Sequence, residues 1–145
     1  MQVSQTMRHT LHPNSLREGS CVRLIAGVLM FVAATLGVAS TLHLTGNVNG
    51  SPPFDADHAG IAEALIGAVL LVGGTLMLAA PRRARTTGLA ATGFGIVGFV
   101  IGLSFTTRGG HAPDVAYHAI FLPVLIASLV ALLRTHQPTA SPTAR

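Results

Sequence analysis

Four apolar runs, at about residues 22–44, 58–80, 87–107 and 115–135, leave this chain little choice of fold. A helix crosses about 30 Å of hydrocarbon at about 1.5 Å per residue, so roughly 20 mostly apolar residues are needed. Each run has that length. None has the polar face that a helix on a water-soluble core would carry. Breakers and charges bound the runs. Asn47, Gly50, Pro52 and Pro53 separate the first two, and Pro81, Arg82, Arg83 and Arg85 the second and third. Arg108, Gly109, Gly110 and Pro113 separate the third and fourth. Linkers this short make successive helices antiparallel. The expected fold class is an all-α membrane protein, with four transmembrane helices in an up-down bundle.

Composition excludes the alternatives. Half of the 145 residues are hydrophobic and only 10% are charged, against about a quarter charged in ordinary soluble domains. Mean hydropathy is +0.59, which rules out disorder built on low hydrophobicity and high charge. The single cysteine, Cys21, rules out a disulfide framework, a four-cysteine zinc site and paired-thiol redox chemistry. Cys21 itself reads as an inert thiol at the membrane boundary. The net charge of +4 comes with arginine and no lysine. These arginines sit at the ends of apolar runs instead of forming a stripe, so no nucleic-acid partner is expected. The Ala, Gly and Arg bias fits a high-GC bacterial genome, and the expected location is the bacterial plasma membrane.

Arginine placement also sets an expected orientation. Arg8, Arg17 and Arg23 precede the first run, Arg82, Arg83 and Arg85 fill the middle linker, and Arg134 and Arg145 follow the last run. Only Arg108 lies in the other two linkers. Positive residues stay on the cytoplasmic side, so both termini are expected inside. A basic start, an apolar stretch and Val38-Ala39-Ser40 resemble a secretory signal, but the run exceeds the usual h-region of about 7–15 residues. Residues 1–21 and 136–145 read as flexible cytoplasmic tails, the second rich in Pro, Thr, Ser and Ala. Asn49-Gly50-Ser51 fits a glycosylation acceptor, and reads as an ordinary turn in a bacterial protein.

Helices gain little in lipid from burying apolar surface, so small residues that allow close approach mark their seams. Ala91, Gly95, Gly98 and Gly102 form one narrow face of the third run. Gly60, Gly67 and Gly74 form another on the second, together with Glu63 and Leu70. The first run offers Ala33 and Gly37. These faces serve packing within the bundle, or in the third run a seam between two copies. Pro123 interrupts the fourth run, removes a backbone donor and predicts a local kink. Tyr117 suits the outer membrane interface, its ring apolar and its hydroxyl wet.

The up-down topology gathers His43, Asp55, Asp57, His58, Glu63, His111, Asp114 and His118 at one end. Four of them are candidates to hold a proton or a ligand: Glu63, His118, Asp114 and His43. Glu63 lies about five residues inside its run, on the glycine face. An ionised acid at mid-membrane costs about 2.5–3.5 kcal/mol on insertion scales, and such acids are functional candidates by default. Asp114 and His118 share one face, four residues apart. Asp114 follows Pro113 and also has a local use as a helix cap. His58 reads as a helix-start residue and His111 as a solvated one. His43, Glu63, Asp114 and His118 are of types that zinc accepts, yet no local metal signature occurs, and a metal is left open. A haem held between His43 and His118 is conceivable, but the glycine-tight bundle argues for no cofactor. No nucleophile elbow surrounds Ser104 or Ser128 and no Walker lysine exists, so no enzyme activity is expected.

The stretch from Pro53-Phe54-Asp55 to Gly67, with the glycine-rich third run and the region around Asp114 and His118, resembles the small uncharacterised four-helix integral membrane proteins of actinobacteria. That resemblance implies the four spans and no known activity. Small multidrug exporters also have four short helices and a membrane acid, but theirs lies in the first helix, whereas Glu63 is in the second run. The leading functional expectation is a structural or interaction subunit whose partners are the lipid bilayer and either itself or another membrane protein. The second is a proton- or metal-linked carrier or sensor centred on Glu63.

Overall fold

A computed structural model describes residues 13–52 and 54–135, with side chains from residue 19 onward. The order is α1 (Pro13–Leu44), α2 (Ala56–Ala79), a short 3-10 turn (Pro81–Arg83), α3 (Ala84–Thr106) and α4 (Ala112–Arg134). The described residues contain no strand. All four helices are long and apolar enough to cross a membrane, and they form the expected up-down bundle. The surface agrees with that reading: Leu24, Phe31, Val38, Ile61, Leu65, Ile120 and many similar side chains point outward. Water would penalise such a surface; lipid does not.

The helices start and stop for local reasons. α1 is described from Pro13 onward. Helix is thus present nine residues ahead of the expected position 22, and residues 13–21 are helix where a flexible tail was expected. The rest of both expected tails, 1–12 and 136–145, lies outside the described residues. At its other end α1 closes in a Schellman motif. Gly46 takes φ +70°, its N–H reaches the His43 carbonyl at 3.0 Å, and the Asn47 N–H reaches the Leu42 carbonyl at 3.0 Å. Asp55 caps α2, accepting from the His58 N–H at 3.1 Å and pairing with its ring at 2.8 Å. The backbone N–H and the ring of His58 together hold the Asp55 carboxyl below its ordinary range. The cap is therefore in place at neutral pH and is lost only as acid titrates that carboxyl.

α1 and α2 make the tightest seam. Ala26, Ala33 and Ser40 recur every seven residues on α1; Gly74, Gly67 and Gly60 recur every seven on α2. A Cβ placed on Gly74 would come within 3.0 Å of the Ala26 carbonyl, on Gly67 within 3.3 Å of that of Ala33, and on Gly60 within 3.1 Å of that of Ser40. Small residues thus face small residues and the two backbones nearly touch. Ser40 uses the proximity, donating its hydroxyl to the Gly60 carbonyl at 2.7 Å. The α1 seam therefore runs through Ala26, Ala33 and Ser40. Gly37, expected in it, points away from every neighbour.

The seam glycines of α3 pack inside the bundle. A Cβ on Gly98 would strike Ile66, on Gly95 it would press on Leu70, and on Gly102 it would strike the His118 ring. Ala91 fills the notch of Gly73 on α2. That face meets α2 and α4. α4 runs unbroken through Pro123. At the arginine-rich end Arg85 ties α3 to α4: its Nε donates at 3.0 Å to the Leu132 carbonyl, one of the last of α4, which also accepts from the Thr135 hydroxyl at 2.8 Å.

Candidate functional site

At the opposite end, His43 of α1 stands between two acids. Its Nδ1 lies 2.8 Å from Glu63 Oε2 on α2, and its Nε2 lies 3.4 Å from Asp114 Oδ2 on α4. The imidazole is 2% exposed and packs under the Phe54 ring, centroids 5.8 Å apart. His118 joins from α4: its Nδ1 is 2.8 Å from the Asp114 carbonyl oxygen, and its ring lies against Phe99, centroids 5.2 Å apart. All four sequence candidates therefore meet at one end, three in a direct side-chain chain and the fourth through a backbone carbonyl.

Each placement has a local cause. His43 is in the last turn of α1, and the Schellman turn after it fixes where the helix stops. Glu63 is held on the seam face between Gly60 and Gly67, which cannot rotate outward without separating the helices. Asp114 differs from expectation. The helix-capping position is His111, and α4 starts at Ala112. That earlier start places Asp114 in the first turn, where its charge suits the helix dipole while its side chain turns to His43. His58 and Asp55 form an exposed pair at the rim.

Protonation of the chain follows from counting. Carboxylate oxygens only accept, and each N···O link needs one proton. Glu63, His43 and Asp114 satisfy both links as an imidazolium between two carboxylates, or as a neutral imidazole with one acid protonated. Either way the trio carries one net negative charge. Among the described residues no arginine neutralises it: Arg85 is committed at the far end and Arg108 is exposed. A buried net charge is costly, so this group attracts a cation.

The same geometry bears on metals. Both ring nitrogens of His43 face carboxylates, and among the described residues no three His, Cys, Asp or Glu side chains are grouped to hold a metal ion. The two histidines do not present free nitrogens to a common centre, as paired haem ligation would require.

A cavity of about 510 Å³ adjoins the trio between the polar-end halves of α2 and α3. Glu63, His43 and His118 form its polar wall; Leu36, Ile66, Phe99 and Phe105 are among its apolar lining. Phe54 and Thr106, which line it and are buried, went unnoticed in the sequence. The adjoining linkers are tied together, the Ser51 N–H donating to the Gly109 carbonyl at 2.8 Å. Gly109 is required at that crossing, because a Cβ there would strike the Ser51 carbonyl.

Tyr117 is not at a wet interface. Its ring is half-buried against Phe99 and Phe121, and its hydroxyl is 2.8 Å from the Thr35 hydroxyl on α1. Thr35 gives its own proton to the Val32 carbonyl at 2.8 Å, so Tyr117 is the donor. Tyr117→Phe is expected to lower stability by about 0.5–1.5 kcal/mol, the ordinary worth of a neutral hydrogen bond. Detergent unfolding followed by circular dichroism checks this; no change would mean that the hydroxyls do not meet.

Comparison with family models, with curated proteins and with solved structures finds no match to this chain.

Proposed function

We propose that this chain is a small multi-pass protein of the bacterial plasma membrane, with both termini in the cytoplasm, and that it acts as a proton-linked carrier or sensor. The observation that supports this most is the buried Glu63–His43–Asp114 chain, with its uncompensated negative charge beside a cavity. The orientation rests on Arg23, Arg82, Arg83 and Arg134 at one end of the bundle, which leaves the proton-binding chain near the outer face. A carrier or sensor needs two states whose balance a proton shifts. The groups that face the trio are few. α1 supplies His43 and α2 supplies Glu63. α4 supplies Asp114 and His118. α3 presents Gly98, Phe99 and Gly102, which do not titrate. The rim adds Asp55 and His58.

One observation favours a second reading, a structural or interaction subunit: the small-residue seam between α1 and α2 is a rigid packing device that needs no chemistry. Hydrogen exchange on the lipid-reconstituted protein separates the two. For the proton-linked reading, amide protection in the polar-end halves of α1 and α4 changes across roughly pH 5–8, and Glu63→Gln removes that change while the fold persists. Protection that is the same at every pH in the unaltered protein would sink the proposal and favour the structural reading.

A further inference from the structure

We infer that the cavity beside Glu63 is a binding site for a lipophilic amine in its ammonium form, entering from the bilayer. The inference rests on the proton-linked reading above and names its ligand class.

The size is appropriate: about 510 Å³ falls within the roughly 300–1,000 Å³ of small-molecule sites. The rim has an apolar side. Leu65, Ile101 and Phe105 are 58%, 53% and 51% exposed on the outward surface of α2 and α3, while buried Phe54 and the exposed Asp55–His58 pair lie at the polar end. A molecule with an apolar body and a polar head fits that arrangement, its body reaching the cavity from the lipid side.

The polar wall asks for hydrogen-bond donors. His118 Nδ1 faces a backbone carbonyl, which only accepts, so the proton of the neutral ring is on Nδ1. Nε2 is then a bare acceptor. It lies in the notch left by Gly102, where an added Cβ would strike it, and it has no hydrogen-bond partner among the described residues. His118 is only 6% exposed, so bulk water does not serve Nε2 freely. Glu63 likewise spends one oxygen on His43 and has no described partner for the other. Both acceptors open onto the cavity, and a ligand that donates there makes a hydrogen bond that the protein leaves unmade.

Charge narrows the class further. The trio carries one net negative charge, Asp55 is paired with His58 at the rim, and no arginine lines the cavity. Like charge at the trio disfavours an anion, and a simple acceptor finds no donor at Glu63 or at His118 Nε2. A neutral alcohol offers one donor and no charge. A primary ammonium offers three N–H donors and the missing positive charge. Phe99, tilted against His118, suits its cation or an aromatic body.

The test uses the full chain in phosphatidylcholine nanodiscs, with nitrogen-15 histidine. Three probes share one body: 2-phenylethylamine, its N,N,N-trimethyl quaternary counterpart, and 2-phenylethanol. The amine is expected to bind and to move the His118 Nε2 resonance. The quaternary cation and the alcohol are each expected to bind about tenfold or more weakly, since one lacks donors and the other lacks charge. Glu63→Gln weakens the amine by a similar factor. Equal binding of the quaternary cation, equal binding of the alcohol, or an unmoved His118 signal overturns the proposal. The probe series needs no variant, so a misfolded Glu63→Gln leaves it decisive. Amine binding without pH-dependent hydrogen exchange would uphold the site and sink the proton-linked reading; the reverse result would sink the site alone.

Discussion

His43→Ala is expected to destabilise the bundle by about 3 kcal/mol, because it strands the buried Glu63 carboxyl and the part-buried Asp114 carboxyl that now share one ring. Glu63 loses its 2.8 Å partner and Asp114 its 3.4 Å partner, and the seam prevents α2 from turning Glu63 out. Unfolding in mixed micelles, followed by circular dichroism, gives the number. A loss under about 1 kcal/mol, the scale of an exposed pair, would mean that the three side chains do not meet. A companion variant tests why they are there. Replacing all three together, His43→Leu with Glu63→Met and Asp114→Leu, is expected to restore most of the stability, since apolar replacement of a whole buried ionic group is often neutral or better. It is also expected to abolish the pH response. Recovery of stability with the pH response intact would place the response elsewhere.

Gly67→Leu is expected to be the most damaging change in the seam. Even a Cβ at Gly67 would sit 3.3 Å from the Ala33 carbonyl and from Leu36 Cβ, both fixed parts of α1. Overpacking costs about 1–3 kcal/mol where neighbours can shift; here the neighbours are helix backbone, so the helices must part. Parting them also draws Glu63, one turn away, from His43. The variant should therefore lose both stability and the pH-dependent exchange of α1 and α4. Met30→Leu, a flexible side chain that itself lies against Gly74, serves as a control with a small expected effect. A Gly67→Leu protein as stable as the unaltered one would show that the seam is looser than this geometry.

Much of this fold is legible in the sequence because lipid imposes simple demands. Run length gives the spans, and arginines and prolines give their ends. The second-run face of Gly60, Glu63, Gly67, Leu70 and Gly74 appears as written, since only close packing explains glycines at that spacing. Its counterpart on α1 was harder to see. Ala26, Ala33 and Ser40 are small but not glycine, and Gly37, which drew attention by type, faces outward. The helix starts were misplaced for a related reason. Hydropathy marks where a chain becomes apolar, whereas a helix starts where its first N–H groups can be left free, as it does just ahead of Pro113. That shift turned Asp114 from a cap into a partner of His43. Tyr117 was assigned to an interface by its chemistry alone; the Thr35 hydroxyl that satisfies it lies in another helix, beyond any local pattern. Topology could gather the four polar candidates at one end, but only packing could decide which nitrogen faces which oxygen.

The two ends of the bundle are fastened by different means. At one, Arg85 grips main-chain carbonyls of α4, a tie that no proton within the working range of a cell can undo. At the other, α1 meets α4 through Asp114 and a histidine, groups whose grip depends on the medium. On the proton-linked reading, a proton taken up by the trio would change the contact between α1 and α4 at that end, while the arginine tie at the other is untouched.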